Sequence, residues 1–466
     1  MPASAPPFHG TIAEAVTFAS VRRRAAAFAA ALLASEGRGR AGVVVGHDAR
    51  FLAERFAAEA VAAIAAAGVP VLFAAGPLPA PALSHAVAAG RRAGGLYVGG
   101  GDLPVEETGL ALYDARGGAA GPDLLAEVER RALAPEGPPA RRRAGAAVRR
   151  FRPQAAYLGS LLRAAPAARR RRGRVRLVCD ARHGAAAGWL GAALTRAGSS
   201  VEALHDDPRP DFGGLAPTCG EIDLKPLGRI VRRAGRRLGL ATDADGTHCG
   251  AVDERGVPLP PGALAALAAD RLLAEGRVRG GLARGVAATH LLDDVAAAHG
   301  RTLVEVPFGA AALSAALASG GAGLAVDEAG GIALLPHARE RDGILAALLA
   351  AEAAAAERRP LGDQISDLQR RLGPRLGRRI DYHVEPAARE RALHRLQDVP
   401  ARFAGRSVRA VAASESRKWI LSDGSWVLFR AAAREDGLLR CHLEARSARD
   451  LEALTAAARE WIAGGR

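Results

Sequence analysis

Asp243 and Asp245 stand two positions apart at the end of an apolar run, Leu238–Thr242. Carboxylates at i and i+2 where a buried strand turns can point into one loop. Carbonyls between them add oxygen ligands, and together they suit a hard cation such as Mg²⁺. The same pattern also serves as an Asp-rich turn that satisfies its own backbone. Thr247, His248 and Cys249 follow directly. An imidazole beside a thiol, with the two aspartates, opens a softer, Zn²⁺-like alternative. A further carboxylate, Asp102, lies in the glycine-rich turn Gly99-Gly-Gly-Asp-Leu-Pro104. It can carry a phosphoryl group, or it can cap the turn.

Such residues need strands that end side by side. From the N-terminus, Ala25–Ala34 reads as a helix, Gly42–Val45 as a strand, Arg55–Ala67 as a helix, Val69–Ala74 as a strand, Ala80–Ala89 as a helix and Gly95–Val98 as a strand. Short apolar strands separated by longer helices predict βαβ units and a parallel sheet. The order repeats with strands at Arg174–Cys179, Val201–Leu204 and Leu238–Thr242, then with strands at Gly285–Thr289, Thr302–Val306 and Gly323–Val326. The tail changes character. Val408–Ala412, Lys418–Leu421, Trp426–Arg430 and Leu438–Glu444 read as strands, with a hairpin turn at Ser422-Asp-Gly-Ser425 and a closing helix at Ala448–Gly464. That pattern predicts an α+β unit with an antiparallel sheet. Pro, Gly and Arg cluster near 135–143, 253–261 and 372–379, the expected linkers.

The 466 residues are too many for one ordinary core. At 49% hydrophobic but only 4% aromatic, the cores must be built of Ala, Leu and Val. Cys179, Cys219, Cys249 and Cys441 are scattered without a CxxC pair and read as reduced thiols. Neither a leader-like stretch nor a membrane-length apolar run is evident, so a soluble, cytoplasmic protein without a membrane partner is expected. The net charge of +15 comes almost wholly from arginine, in runs such as Arg141–Arg143 and Arg149–Arg152. A polyanion-binding face is one reading of that charge. No nucleic-acid motif or interleaved aromatic accompanies it, so we read it as compositional and expect no nucleic-acid partner.

Longer segments are more specific. Gly239–Asp245 followed by Ala251–Glu254 resembles the metal loop GLATDGDADR…VVDE of the α-D-phosphohexomutases, the phosphoglucomutase/phosphomannomutase family. Val43–Leu52 resembles that family's VVVGxDTRFL segment, and His183-Gly184, Ala288–Asp293, Asp342–Leu349 and Asp423–Trp426 match further segments in order. The resemblance implies three similar α/β domains with mixed, mainly parallel sheets and a C-terminal α+β domain with an antiparallel sheet. Expected bounds are 1–140, 145–252, 253–370 and 375–466. It also implies hexose-phosphate chemistry, an isomerase that passes a phosphoryl group through a phosphoserine, and Mg²⁺ as cofactor.

Each of the family's four loops is altered here. The phosphoserine loop TASHNP falls at Gly99–Pro104, with Gly101 at the nucleophile and Asp102 as the one possible substitute. Glycine has no side chain to carry phosphate. The metal loop keeps Asp243 and Asp245 but has Thr247 for the third aspartate and His248 for the arginine, which implies a weakened Mg²⁺ site. The sugar loop GEESGG falls at Val326–Gly331 and retains Glu328 and Gly330. The phosphate loop RPSGTEP falls at 430–436 and survives as Arg430, Arg434 and Glu435, with alanines in place of most of its Ser, Gly and Thr donors. Arg50, Glu328, Gly330 and Arg430 are the expected substrate contacts. The reading is a phosphohexomutase-like protein without mutase turnover that binds a sugar phosphate or regulates. The alternative is an active enzyme, a Mg²⁺-dependent phosphoryl-transfer or phosphatase site around Asp102, Asp243 and Asp245. A hexose phosphate and an active homologue are the expected partners.

Overall fold

The computed structural model describes residues 6–35, 41–134, 145–166, 175–235, 238–357, 359–413, 417–431 and 438–464. The first sheet contains β1 (Phe8–Thr11), β2 (Val43–His47), β3 (Val71–Ala74), β4 (Gly94–Gly99), β5 (Glu107–Tyr113) and β6 (Val148–Phe151). Their order is β1-β5-β4-β2-β3-β6, with β4, β2, β3 and β6 parallel and the hairpin strand β5 antiparallel to β4. The second sheet runs β10-β9-β7-β8, from β7 (Arg176–Asp180), β8 (Ser200–Leu204), β9 (Leu238–Thr242) and β10 (Cys249–Asp253). The third runs β12-β11-β13-β14, from β11 (Gly281–Gly285), β12 (Leu303–Val306), β13 (Ala322–Val326) and β14 (Ile332–Leu334). In both, the last strand folds back antiparallel on its predecessor. The fourth sheet is antiparallel throughout, β15-β20-β19-β18-β17-β16, from β15 (Leu376–His383), β16 (Arg402–Phe403), β17 (Arg406–Ala413) and β20 (Leu438–Ala445). Among its strands, β18 is Arg417–Leu421 and β19 is Trp426–Ala431.

Three local expectations are corrected. Val148–Phe151, expected to open the second unit, adds to the first sheet beside β3. Its side chains are largely exposed, so it has no apolar face to seed a sheet of its own, and Arg150 lies over the Phe73 ring at 3.9 Å. Leu376–His383, partly inside an expected linker, pairs with β20 along its length. The expected strand at 285–289 is displaced to Gly281–Gly285, because the chain turns there, the Ala288 N–H donating to Gly285 O at 2.9 Å.

The core explains how Ala and Leu suffice. The helix Gly343–Glu357 is buried from Gly343 through Ala354. It packs against β9 and β10 on one side and the helix Pro261–Ala274 on another. A helix apolar all round belongs inside a large protein, and small side chains let its neighbours approach closely. Its start is a junction of three segments. Asp342 Oδ2 accepts from Tyr157 Oη at 2.8 Å and lies 2.8 Å from His337 Nε2, while His337 Nδ1 lies 2.9 Å from Ser160 Oγ. His85 stacks on His337 with centroids 5.8 Å apart. The fourth unit docks through the buried Lys418, whose Nζ donates to Val286 O at 2.7 Å and to Glu305 at 2.8 Å. Among the described residues, no helix is long and apolar enough to cross a membrane.

Candidate active site

The loops that carry the chemical candidates occupy one topological position. They follow β4, β9, β13 and β19, each the strand that hands over to an antiparallel partner. Strand ends of open α/β sheets are where ligands gather.

The loop after β4 is held from beneath by Arg50, which follows β2. Its guanidinium is buried. It donates to Gly101 O at 2.8 Å, Leu103 O at 2.7 Å, Glu107 O at 3.1 Å and Pro104 O, and pairs with Asp48 Oδ2 at 3.1 Å. Asp48 Oδ2 in turn accepts the Gly100 N–H at 3.1 Å. Arg50, expected to touch substrate, is thus spent on carbonyls of the loop. Glycines are required here: a Cβ on Gly100 would collide with that guanidinium. Gly101 has φ +56°, in the left-handed region, and presents no side chain where the sequence places the nucleophile. Asp102 is half-buried and lies close enough to Arg430 to influence its charge.

The loop after β9 is a closed polar circuit. Asp243 Oδ1 accepts the His248 N–H at 3.0 Å, and its Oδ2 faces His248 Nδ1 at 2.8 Å. The Thr247 hydroxyl donates to Asp245 Oδ1 at 2.7 Å and sits 3.0 Å from Asp243 Oδ2. The other ring nitrogen of His248, Nε2, meets Asp327 Oδ2 at 2.7 Å, across in the loop after β13. Asp327 Oδ2 also accepts from Arg341 Nη1 at 2.9 Å, and its Oδ1 accepts the N–H groups of Ala329 and Gly331. Burial opposes the charge on His248, but Asp327 and Asp243 push its imidazole well above the ordinary range. Burial likewise opposes the charge on Asp327, yet His248 and Arg341 hold it well below the usual carboxylate range. Asp245 goes the other way, raised by burial and then by the Asp243 charge.

Cys249 is buried, and burial pushes its thiol up to about 12. Asp102 does not join Asp243 and Asp245, since among the described residues no three His, Cys, Asp or Glu side chains gather as a metal site. Sequence reasoning misses Arg341 and its neighbour Glu340, bonded at 3.1 Å. The available signal is the charged run Arg339-Glu-Arg-Asp342 set against an apolar helix.

The sugar-type loop keeps Glu328 half-buried, its carboxyl raised by burial and by Asp327. Gly330 has φ +79°, and a Cβ there would meet Pro261 O at 2.6 Å. Arg430, on β19, is buried with its Cζ 4.1 Å from the Phe308 ring centroid. Its Nε has no hydrogen-bond partner among the described residues. Arg434 lies outside the described residues.

Comparison with known proteins gives this arrangement a family. Residues 9–136, 155–256 and 260–372 match, in order, alpha/beta/alpha domains I, II and III of phosphoglucomutase/phosphomannomutase. The phosphoglucosamine mutase of Frankia alni is 33% identical over 331 residues, covering 69% of this chain and 70% of the relative. The chain belongs to the α-D-phosphohexomutase family. Among solved structures, a putative phosphomannomutase from Thermus thermophilus superposes with a TM-score of 0.83 at 28% identity, covering 99% of this chain and 98% of that one. A phosphoglucomutase/phosphomannomutase family protein from Burkholderia thailandensis shares the fold, with a TM-score of 0.81 at 20% identity over 98% of this chain and 97% of that one. The four-unit architecture expected from the sequence is that of phosphohexomutases.

A more distant phosphohexomutase, the N-acetylphosphoglucosamine mutase of Aspergillus fumigatus, was solved with GlcNAc-6P and magnesium; it shares the fold with a TM-score of 0.54 at 15% identity over 90% of this chain and 82% of that one. The side chains present here do not fit such a cation. Asp243 has both oxygens engaged by His248, and Asp245 Oδ1 is engaged by Thr247. Mg²⁺ demands near-octahedral oxygen ligands at about 2.0–2.1 Å, and the His248 imidazole stands 2.8 Å from Asp243 Oδ2.

Proposed function

We propose that this phosphohexomutase-family chain binds a hexose phosphate without interconverting its phosphate positions. The observation that carries the reading is Gly101 at the nucleophile position, on a loop whose backbone Arg50 holds in a left-handed turn. Phosphoryl exchange between two positions of a sugar needs a group that gives one phosphate and takes another. Glycine supplies none, and among the described residues Asp102 forms no metal-type cluster with Asp243 and Asp245. Binding is supported by Arg430, a buried guanidinium whose Nε has no hydrogen-bond partner among the described residues, and by Glu328 in the loop after β13, a carboxyl group able to accept from sugar hydroxyls. Because the chain is similar to phosphoglucosamine mutases, glucosamine phosphates are the first ligands to try.

Thermal unfolding and calorimetry with glucosamine, glucose and mannose phosphates test this reading, alongside a coupled mutase assay primed with hexose bisphosphate. Saturable stabilisation by a hexose phosphate is expected, absent with the free sugar and weakened by Arg430→Ala. No turnover above the protein-free blank is expected. Turnover with primer present overturns the first half of the reading; indifference to every hexose phosphate overturns the second.

A further inference from the structure

The circuit around His248 does more than fill a loop. Both ring nitrogens face carboxylate oxygens, Asp243 at 2.8 Å and Asp327 at 2.7 Å. One imidazole thus ties a carboxylate of each loop to itself. Arg341 brings a cation to Asp327 at 2.9 Å. These side chains are almost fully shielded from solvent. Buried charges persist only when paired and hydrogen-bonded, and each one here is.

The circuit also crosses between units. Asp243 and His248 belong to the connection from β9 to β10, Asp327 to that from β13 to β14. The backbone is joined at the same place. Gly343 N–H donates to Gly246 O at 2.9 Å, and Ala80 N–H, in the first unit, donates to Asp245 O at 2.9 Å. A glycine permits the approach: a Cβ at Gly331 would lie 2.8 Å from His248 Cδ2 and 3.0 Å from Asp327 Oδ2.

We propose that the His248 and Arg341 side chains take the place of a divalent metal in this chain, bridging Asp243 of the second unit to Asp327 of the third. The site is on this proposal metal-independent, with basic partners for Asp243 and Asp327 supplied from within the protein. A divalent cation entering would have to displace the ring from Asp243 and leave Asp327 with Arg341 alone. The bridge also makes the loop after β9 a junction of three units rather than a ligand-exchanging turn.

MgCl₂ titrated into the full-length protein at constant ionic strength tests the first part, read by calorimetry and by the unfolding midpoint, with an EDTA-treated control. No saturable heat and no shift of the midpoint are expected through the millimolar range. Saturable binding or a Mg²⁺-dependent rise in the midpoint overturns the proposal. The bridge is tested by a double-mutant cycle on unfolding with His248→Ala and Asp327→Asn. Each single variant should lower the midpoint, and the double variant should lower it by clearly less than their sum; strictly additive effects overturn the bridge. Should a variant fail to fold, the wild-type titration still decides metal independence. Mutase turnover that persists in EDTA would overturn the functional reading above and leave this inference standing.

Discussion

Replacing Arg50 by alanine tests how the loop after β4 is built. The side chain makes three bonds to loop carbonyls, one to the first carbonyl of β5 and one to Asp48, and it is shielded from water. Its removal leaves the Asp48 carboxylate buried without its cation, and breaking a buried pair in this way costs about 3–5 kcal/mol. Carbonyls that lose a partner cost about 1–3 kcal/mol each when water cannot reach them, but a cavity of guanidinium size beside exposed Pro104 and Val105 admits water and offsets much of that term. We therefore expect a net loss of about 3–5 kcal/mol. Because a multi-unit chain need not unfold in one step, the local assay is amide exchange. The Gly100 N–H, bonded to Asp48, and the Leu103 N–H, bonded to Gly100 O, should lose protection before the amides of β2. Urea unfolding of the same variant should show an earlier first transition. Arg50→Lys, which keeps the charge without the planar fork, should recover only part of the loss. Unchanged protection with unchanged stability would refute the reasoning, and a selective loss of hexose-phosphate affinity would return Arg50 to the substrate contacts.

Two further outcomes follow from the geometry. Gly101→Ser should not restore mutase turnover, since the metal-type aspartates are engaged elsewhere, and it should destabilise by about 1–2 kcal/mol because position 101 is left-handed; measurable turnover or a neutral effect on unfolding would contradict this. His85 yields a pH effect: burial, reinforced by His337, lowers its imidazole from 6.5 to about 4. The unfolded chain takes up that proton near 6.5 while the folded chain does so only near 4, so this contribution is complete above 6.5 and is lost as pH falls through that window. His85→Gln should flatten that part of the stability–pH curve, and an unchanged slope would show that the group does not titrate as described.

Much of the architecture is legible in the order of residues. The helix Ala310–Ala318 and strands such as Leu238–Thr242 fall where periodicity and turn residues place them, because their burial on fixed faces is a local pattern. Edge strands are less visible. The exposed side chains of β6 carry no alternation strong enough to reveal a strand, and its pairing with β3 spans more than 70 residues of chain. The glycine at position 101 is likewise a matter of residue type, complete in the sequence.

What the side chains of the site do to one another is settled only by packing. Asp243 and Asp245 read as metal ligands, Arg50 as a substrate contact and His248 as a lost arginine. Folding brings Asp327 across from the third unit and Arg341 with it, and places Arg50 beneath the carbonyls of a distant loop. A residue's type sets which bonds it can make, so residue types and their order are enough to establish the family, the four-unit plan and the glycine at position 101. Which bonds are made depends on partners brought within about 3 Å of one another, and only that distance turns two candidate ligands into members of an internal ion network.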